Sequence, residues 1–156
     1  METLIVCKSY HHGNTWKVAE SMAGVLDAEI IEPEEDYSSN LSDYDLLGFG
    51  SGIYWASFHG DIFDFVQDLP VVEGKKAFIF STSGMWNIPI INGFGGKIRD
   101  RLSEKGFEIV GGFSCGGYNI FFLFKLVGGI HRGKPNEENL KEAKEFARRI
   151  EEKGGW

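Results

Sequence analysis

Cysteine is scarce in this chain: Cys7 and Cys115 are the only two among 156 residues, far apart and in no CxxC pair. That spacing excludes a disulfide framework and points to a reducing compartment. Positive charge is also short, with 16 Lys and Arg against 23 Asp and Glu and a formal net charge of −7. Nucleic-acid phosphates are held by clustered cations, so this balance argues against a nucleic-acid binder and suits basic partners instead. Long apolar runs are missing too. The longest, Ile120 to Phe124, stops at Lys125 and cannot span a bilayer. The run Leu4 to Cys7 is too short for a secretory core, and Glu2 has the wrong charge to precede one. The expectation is a cytoplasmic protein with no signal and no transmembrane segment. Internal repeats, low-complexity tracts and the pattern GxxxxGK(S/T) are absent as well, and the last of these excludes a P-loop nucleotide hydrolase.

The length fits one domain, residues 1–156, able to bury roughly 70% of the surface its unfolded chain exposes. Glycine (21) and aromatics (13 Phe, 5 Tyr, 4 Trp) are generous. Tight turns and flat-ring binding surface account for both. Strand-like segments at about 3–8, 28–32, 45–51, 76–82 and 107–114 alternate with helical patterns at about 14–26, 60–68, 94–105 and 137–152. This alternation predicts an α/β fold, a doubly wound parallel sheet of five strands with helices on both faces. Only the connection from 32 to 45 lacks a helical pattern; Pro33, the acidic Glu34 to Asp36 and Ser38 to Asn40 read as an irregular link or one short turn. Pro135-Asn136 breaks the chain before the last helix and makes Asn136 its cap.

The stretch from Leu4 to Thr15 is an apolar strand that breaks into small and polar residues and then opens a helix. The first turn of a helix leaves backbone N–H groups unpaired at the positive end of the macrodipole, so a loop feeding it can wrap an anion. Ser9, Asn14 and Thr15 add side-chain donors. In an open doubly wound sheet ligands bind beyond the carboxyl ends of the strands. The other segments expected there are Ser51-Gly52-Ile53-Tyr54-Trp55, Ser81-Thr82-Ser83-Gly84-Met85-Trp86-Asn87 and Cys115-Gly116-Gly117-Tyr118. One loop offers an anion site and two others offer flat hydrophobic walls with donors beside them. A planar heteroaromatic carrying one phosphate satisfies that arrangement.

These residues resemble the flavodoxin family over essentially the whole chain, and the start and the Phe80-Ser81-Thr82-Ser83-Gly84 strand end look like a short prokaryotic branch of it. Flavodoxins follow the strand order 2-1-3-4-5, bind FMN noncovalently and shuttle electrons. Their phosphate loop has the form T/S-x-T-G-x-T, of which Gly13-Asn14-Thr15 keeps the second half. The resemblance implies that Ser9, His11, His12, Gly13, Asn14 and Thr15 surround the phosphate. It also implies that the 51–55 and 81–87 loops clasp the isoalloxazine and that a redox protein is the partner. Two departures stand out: Tyr10, His11 and His12 replace the usual hydroxyl residues in a loop one residue longer, and Tyr54 is followed by Trp55 where a small or polar residue is usual.

Several residues carry plainer readings. His11 and His12 lack a third ligand spaced nearby, so no metal is expected. Tyr54, Trp55 and Trp86 either stack on a ring or pack over a sheet edge. Gly48 to Gly52 only mimics a dinucleotide fingerprint, since it ends a strand and lacks the spacing. Cys115 is a small apolar residue or a redox thiol, and Asp61, Asp64 and Asp68 read as a solvated helix face. The aromatic segment Tyr118 to Val127 is a loop tucked onto the core or a patch for a partner or second subunit, with Lys125, His131, Arg132 and Lys134 as a basic island beside it. The leading reading is an FMN-binding electron carrier, with a homodimer possible. The alternative is an NAD(P)H-dependent flavin or quinone reductase, or a protoporphyrinogen-oxidase-like flavoenzyme. A receiver domain needs acids after strand one and an Asp ending strand three, where this chain has Cys7-Lys8 and Gly50-Ser51.

Overall fold

A computed structural model describes residues 1–9, 13–34, 41–54, 57–82, 95–115 and 136–154. The strands are β1 (Thr3–Lys8), β2 (Glu29–Ile31), β3 (Leu46–Tyr54), β4 (Ser57–Phe58), β5 (Lys76–Thr82) and β6 (Glu108–Cys115). The helices are α1 (Asn14–Leu26), α2 (Gly60–Asp68), α3 (Gly96–Glu104) and α4 (Glu137–Lys153). Five strands pair in parallel in the order β2-β1-β3-β5-β6, and the two-residue β4 pairs antiparallel with the end of β3. The five-stranded doubly wound sheet expected from the alternation is therefore present. The link after β2 holds one turn of 3-10 helix, Leu41–Asp43, as the sequence suggested.

Because both faces of a parallel sheet are covered, the side chains of β1 divide between two cores. Leu4 and Val6 enter the cluster holding Ile62 and Val66 of α2 and Ile98 and Leu102 of α3. Ile5 and Cys7 enter the one holding Val18 and Met22 of α1 and Ala143, Phe146 and Ile150 of α4. All four of these β1 residues are fully buried. Each large aliphatic side chain so placed contributes about 1.5–3 kcal/mol relative to exposure.

The glycines of β3 have a packing reason. Gly48 lies opposite Phe78 and Gly50 opposite Phe80 in the parallel register. A Cβ on Gly48 would stand 2.4 Å from Phe78 Cζ, and one on Gly50 would stand 2.1 Å from Phe80 Cζ. The two rings, stacked with centroids 6.1 Å apart, thus lie across bare backbone. This run shapes a core and not a dinucleotide site.

At the start of α4, the side chain of Asn136 accepts from the Asn139 N–H at 2.9 Å, and Asn139 accepts from the Asn136 N–H at 3.2 Å. The predicted cap is present as a reciprocal box. Among the described residues no helix is long and apolar enough to cross a membrane.

Candidate functional site

The parallel register brings the predicted residues to one edge. Lys8 pairs with Ser51, Ser51 with Ser81 and Ser81 with Ser114, forming a row across four strands. One step beyond, Gly52 pairs with Thr82 and Thr82 with Cys115. Four segments distant in sequence therefore end together at the carboxyl side of the sheet, where α1 begins.

Gly13 precedes α1 with φ 65° and ψ 29°, a left-handed conformation that glycine adopts without Cβ strain. It offers no side chain, so the first turn of α1 has no side-chain cap, and that turn carries no acidic residue. Two of the other helix starts contrast with this, whereas α3, after Gly95, likewise has no side-chain cap and no acidic residue in its first turn. His59 caps α2, with Nδ1 accepting the Asp61 N–H at 3.1 Å, and α4 has its Asn136 box plus Glu137 and Glu138. The α1 terminus, like that of α3, thus has neither a side-chain cap nor an early acid against its positive dipole end.

Ser9 directly follows the last residue of β1. Its Oγ is buried and finds no hydrogen-bond partner among the described residues. A buried hydroxyl left unpaired costs roughly 1–3 kcal/mol, a cost an anion beside it would remove. Thr15 is buried in the first turn of α1, and its hydroxyl shares a 2.7 Å hydrogen bond with that of Thr82 at the end of β5. Asn14, half-buried, opens the helix. The Thr15–Thr82 bond thus brings the first turn of α1, with Gly13 and Asn14, to the end of β5.

Other predicted residues serve the frame. Ser51, Gly52, Ile53 and Tyr54 are the last four residues of β3, not a loop. A Gly-rich strand end and a loop look alike in sequence; the pairing of Ser51 and Gly52 with β5, and of Ile53 with Phe58 and Tyr54 with Ser57, extends the strand. Ser51 is fully buried; its hydroxyl donates to Gly52 O at 2.6 Å and accepts the His59 N–H at 2.9 Å. Ile53 packs against the α2/α3 core. Ser81 is buried, with its hydroxyl 3.4 Å from that of Ser114. Cys115 is buried in the α1/α4 core, which favours the small-residue reading over an exposed redox thiol. His11, His12, Trp55, Ser83, Gly84, Trp86 and the segment Tyr118 to Val127 lie outside the described residues.

Sequence reading missed a charged cluster at this edge. Lys8 ends β1 with a buried side chain whose ammonium pairs with Glu34 and with Asp61 at 3.2 Å. Asp61 also stands 3.3 Å from His59 Nδ1, so it does not belong to the solvated face assigned to it with Asp64 and Asp68. The signal was present: a lysine ending a strand whose other residues are buried must find carboxylates. Cys7, one residue earlier, has its thiol pushed far above the ordinary range by burial and, secondarily, by the charge of Glu32.

The sheet order defines a doubly wound α/β protein, and at the carboxyl edge of its sheet stand the end of β1 and the start of α1. A model of the flavodoxin domain matches residues 4–106, and the chain belongs to that family. It is 45% identical over 151 residues to an uncharacterized protein of Methanocaldococcus jannaschii, covering 96% of this chain and 98% of that one. Among solved structures it is similar to a flavodoxin from the domain Archaea, at 20% identity with a TM-score of 0.67 and all of both chains covered. It is also similar to oxidised Flavodoxin 2 from Bacillus cereus, at 21% identity, a TM-score of 0.68 and 98% and 99% coverage. Rubredoxin oxygen:oxidoreductase from Desulfovibrio gigas aligns at 13% identity with a TM-score of 0.70, over 98% of this chain but 36% of that one. These structures establish the shared fold.

Proposed function

We propose that the chain, as a single unit over residues 1–156, binds FMN and carries electrons to and from a protein partner in the cytoplasm. The observation that carries this reading is the pairing of an uncapped α1 terminus with the partnerless Ser9 hydroxyl. Both features suit a phosphate and not a planar ring alone. Ser9, His11, His12, Gly13, Asn14 and Thr15 would surround the phosphate. The segments Ser51 to Trp55, Ser81 to Gly84 with Trp86, and Cys115 would lie about the ring.

Bound FMN supplies the redox-active ring; the protein supplies binding, orientation and electrostatics. The Thr15–Thr82 bond holds the phosphate cradle to the end of β5, and the buried Ser51 hydroxyl sets the approach of the Gly52 to Tyr54 backbone. A net charge of −7 opposes placing more negative charge on the ring, which favours a low potential.

The test is the absorption spectrum of the purified protein, followed by titration of the flavin-free chain with FMN. Flavin bands and saturable one-to-one binding are expected. A colourless chain that binds no added FMN overturns the reading. An electron carrier also shows no steady-state oxidation of NADPH with a quinone acceptor, whereas turnover would establish the reductase instead.

A further inference from the structure

We propose, resting on the FMN reading above, that Lys8 is a positioning residue of the flavin site, fixing the β3–β4 hairpin relative to the phosphate cradle. Lys8 Nζ holds Asp61 Oδ2 at 3.2 Å, and the Asp61 N–H donates to His59 Nδ1 at 3.1 Å. The His59 N–H donates to Ser51 Oγ at 2.9 Å, and that hydroxyl donates to Gly52 O at 2.6 Å. This chain of contacts closes on itself, because Ser51 is the register partner of Lys8. The hairpin from Ser51 to His59 is thereby tied at its base to the residue immediately before Ser9.

The choice of lysine is the informative part. Leu4 and Val6, on the same face of β1, are core aliphatics, and an aliphatic side chain would continue that pattern at position 8. Burying an ammonium instead is costly unless its partners are well placed. Glu34 and Asp61 come from two separate segments, the link after β2 and the start of α2, so one cation joins three pieces of chain. The stem fills the space an aliphatic would fill, and the head sets the position of α2. Asp61 then orders His59, and His59 orders Ser51. Lys8 touches no ligand group in this scheme; it acts through the hairpin backbone that begins at Ser51 and Gly52.

The experiment is fluorescence titration of the full chain with FMN and with riboflavin, which lacks the phosphate. Lys8→Met keeps the apolar volume, and it leaves carboxylates whose side chains are 47% and 32% exposed and so remain hydrated. Lys8→Met and Asp61→Asn should each weaken FMN and riboflavin by the same factor, about tenfold, the scale on which partners that orient a binding group act. The double variant should be no weaker than either single one, and Lys8→Arg should restore most of the loss. Val6→Ala, a core deletion on the same face, should lower the melting temperature without changing either affinity. A folded Lys8→Met chain that binds both flavins as wild type does overturns the proposal, as does one that loses FMN alone. A wild-type chain that binds neither flavin overturns the functional reading and this assignment with it.

Discussion

The hydroxyls of Thr15 and Thr82, 67 positions apart in sequence, share one 2.7 Å hydrogen bond that joins the first turn of α1 to the end of β5. Thr15 is buried, so this bond satisfies its hydroxyl. Thr82→Val keeps the shape and leaves Thr15 unpaired, and the expected loss is about 1–2 kcal/mol. In the double variant with Thr15→Val the partners are removed together, so its loss should fall short of the sum of the single losses by at least about 0.5 kcal/mol. Urea unfolding of the four chains measures this coupling, and strict additivity would contradict it.

Asn14→Asp is expected to act in opposite directions on the free and the bound protein. A carboxylate in the first turn of α1 meets the positive end of the macrodipole, stabilising the flavin-free chain by about 0.3–1 kcal/mol. The same charge repels a phosphate, weakening FMN by at least about tenfold while sparing riboflavin. Melting curves and the two titrations together check both signs.

Gly50→Ala should destabilise the protein by about 1–3 kcal/mol, because its Cβ would stand 2.1 Å from Phe80 Cζ. Shortening the ring side chain relieves the overlap. Gly50→Ala with Phe80→Leu is therefore expected to be more stable than Gly50→Ala alone in guanidinium unfolding.

Alkaline pH should weaken the fold through Cys7. Its folded thiol is held far above the ordinary value of 9.0, chiefly by burial, so above that value the unfolded chain releases a proton that the folded chain keeps. The stabilising contribution is complete below 9.0 and declines as pH rises beyond it. Stability measured from pH 8 to 10 should fall more steeply for wild type than for Cys7→Val, which has no thiol to titrate. Parallel slopes would show that Cys7 plays no part.

Much of this architecture was legible because it rests on local patterns. Apolar runs bounded by polar residues placed β1, β3, β5 and β6, and helical spacing placed α1 and α4, with Asn136 marking the start of α4. Gly13-Asn14-Thr15 after an apolar strand pointed to the start of α1, where glycine meets a left-handed φ and leaves the helix without a side-chain cap. The end of β3 was less legible. Gly52 to Tyr54 read as a loop because the Ser51-Gly52 pair carries no strand periodicity, and the pairing that makes them strand comes from β5 and β4. Asp61 read as solvated because an acidic residue every few positions describes an exposed face equally well.

By itself, then, the sequence determined the order of elements, the two-faced burial of the strands and the open first turn of α1, since each follows from a residue and its near neighbours. The tertiary structure alone decided that the Ser9 hydroxyl, like that of Thr3, stays unpaired among the described residues while that of Ser51 does not, and which carboxylates meet Lys8. Those outcomes depend on the parallel register and on helices brought from elsewhere in the chain. A buried polar group's fate is set by what packs against it, and no spacing within its own segment encodes that.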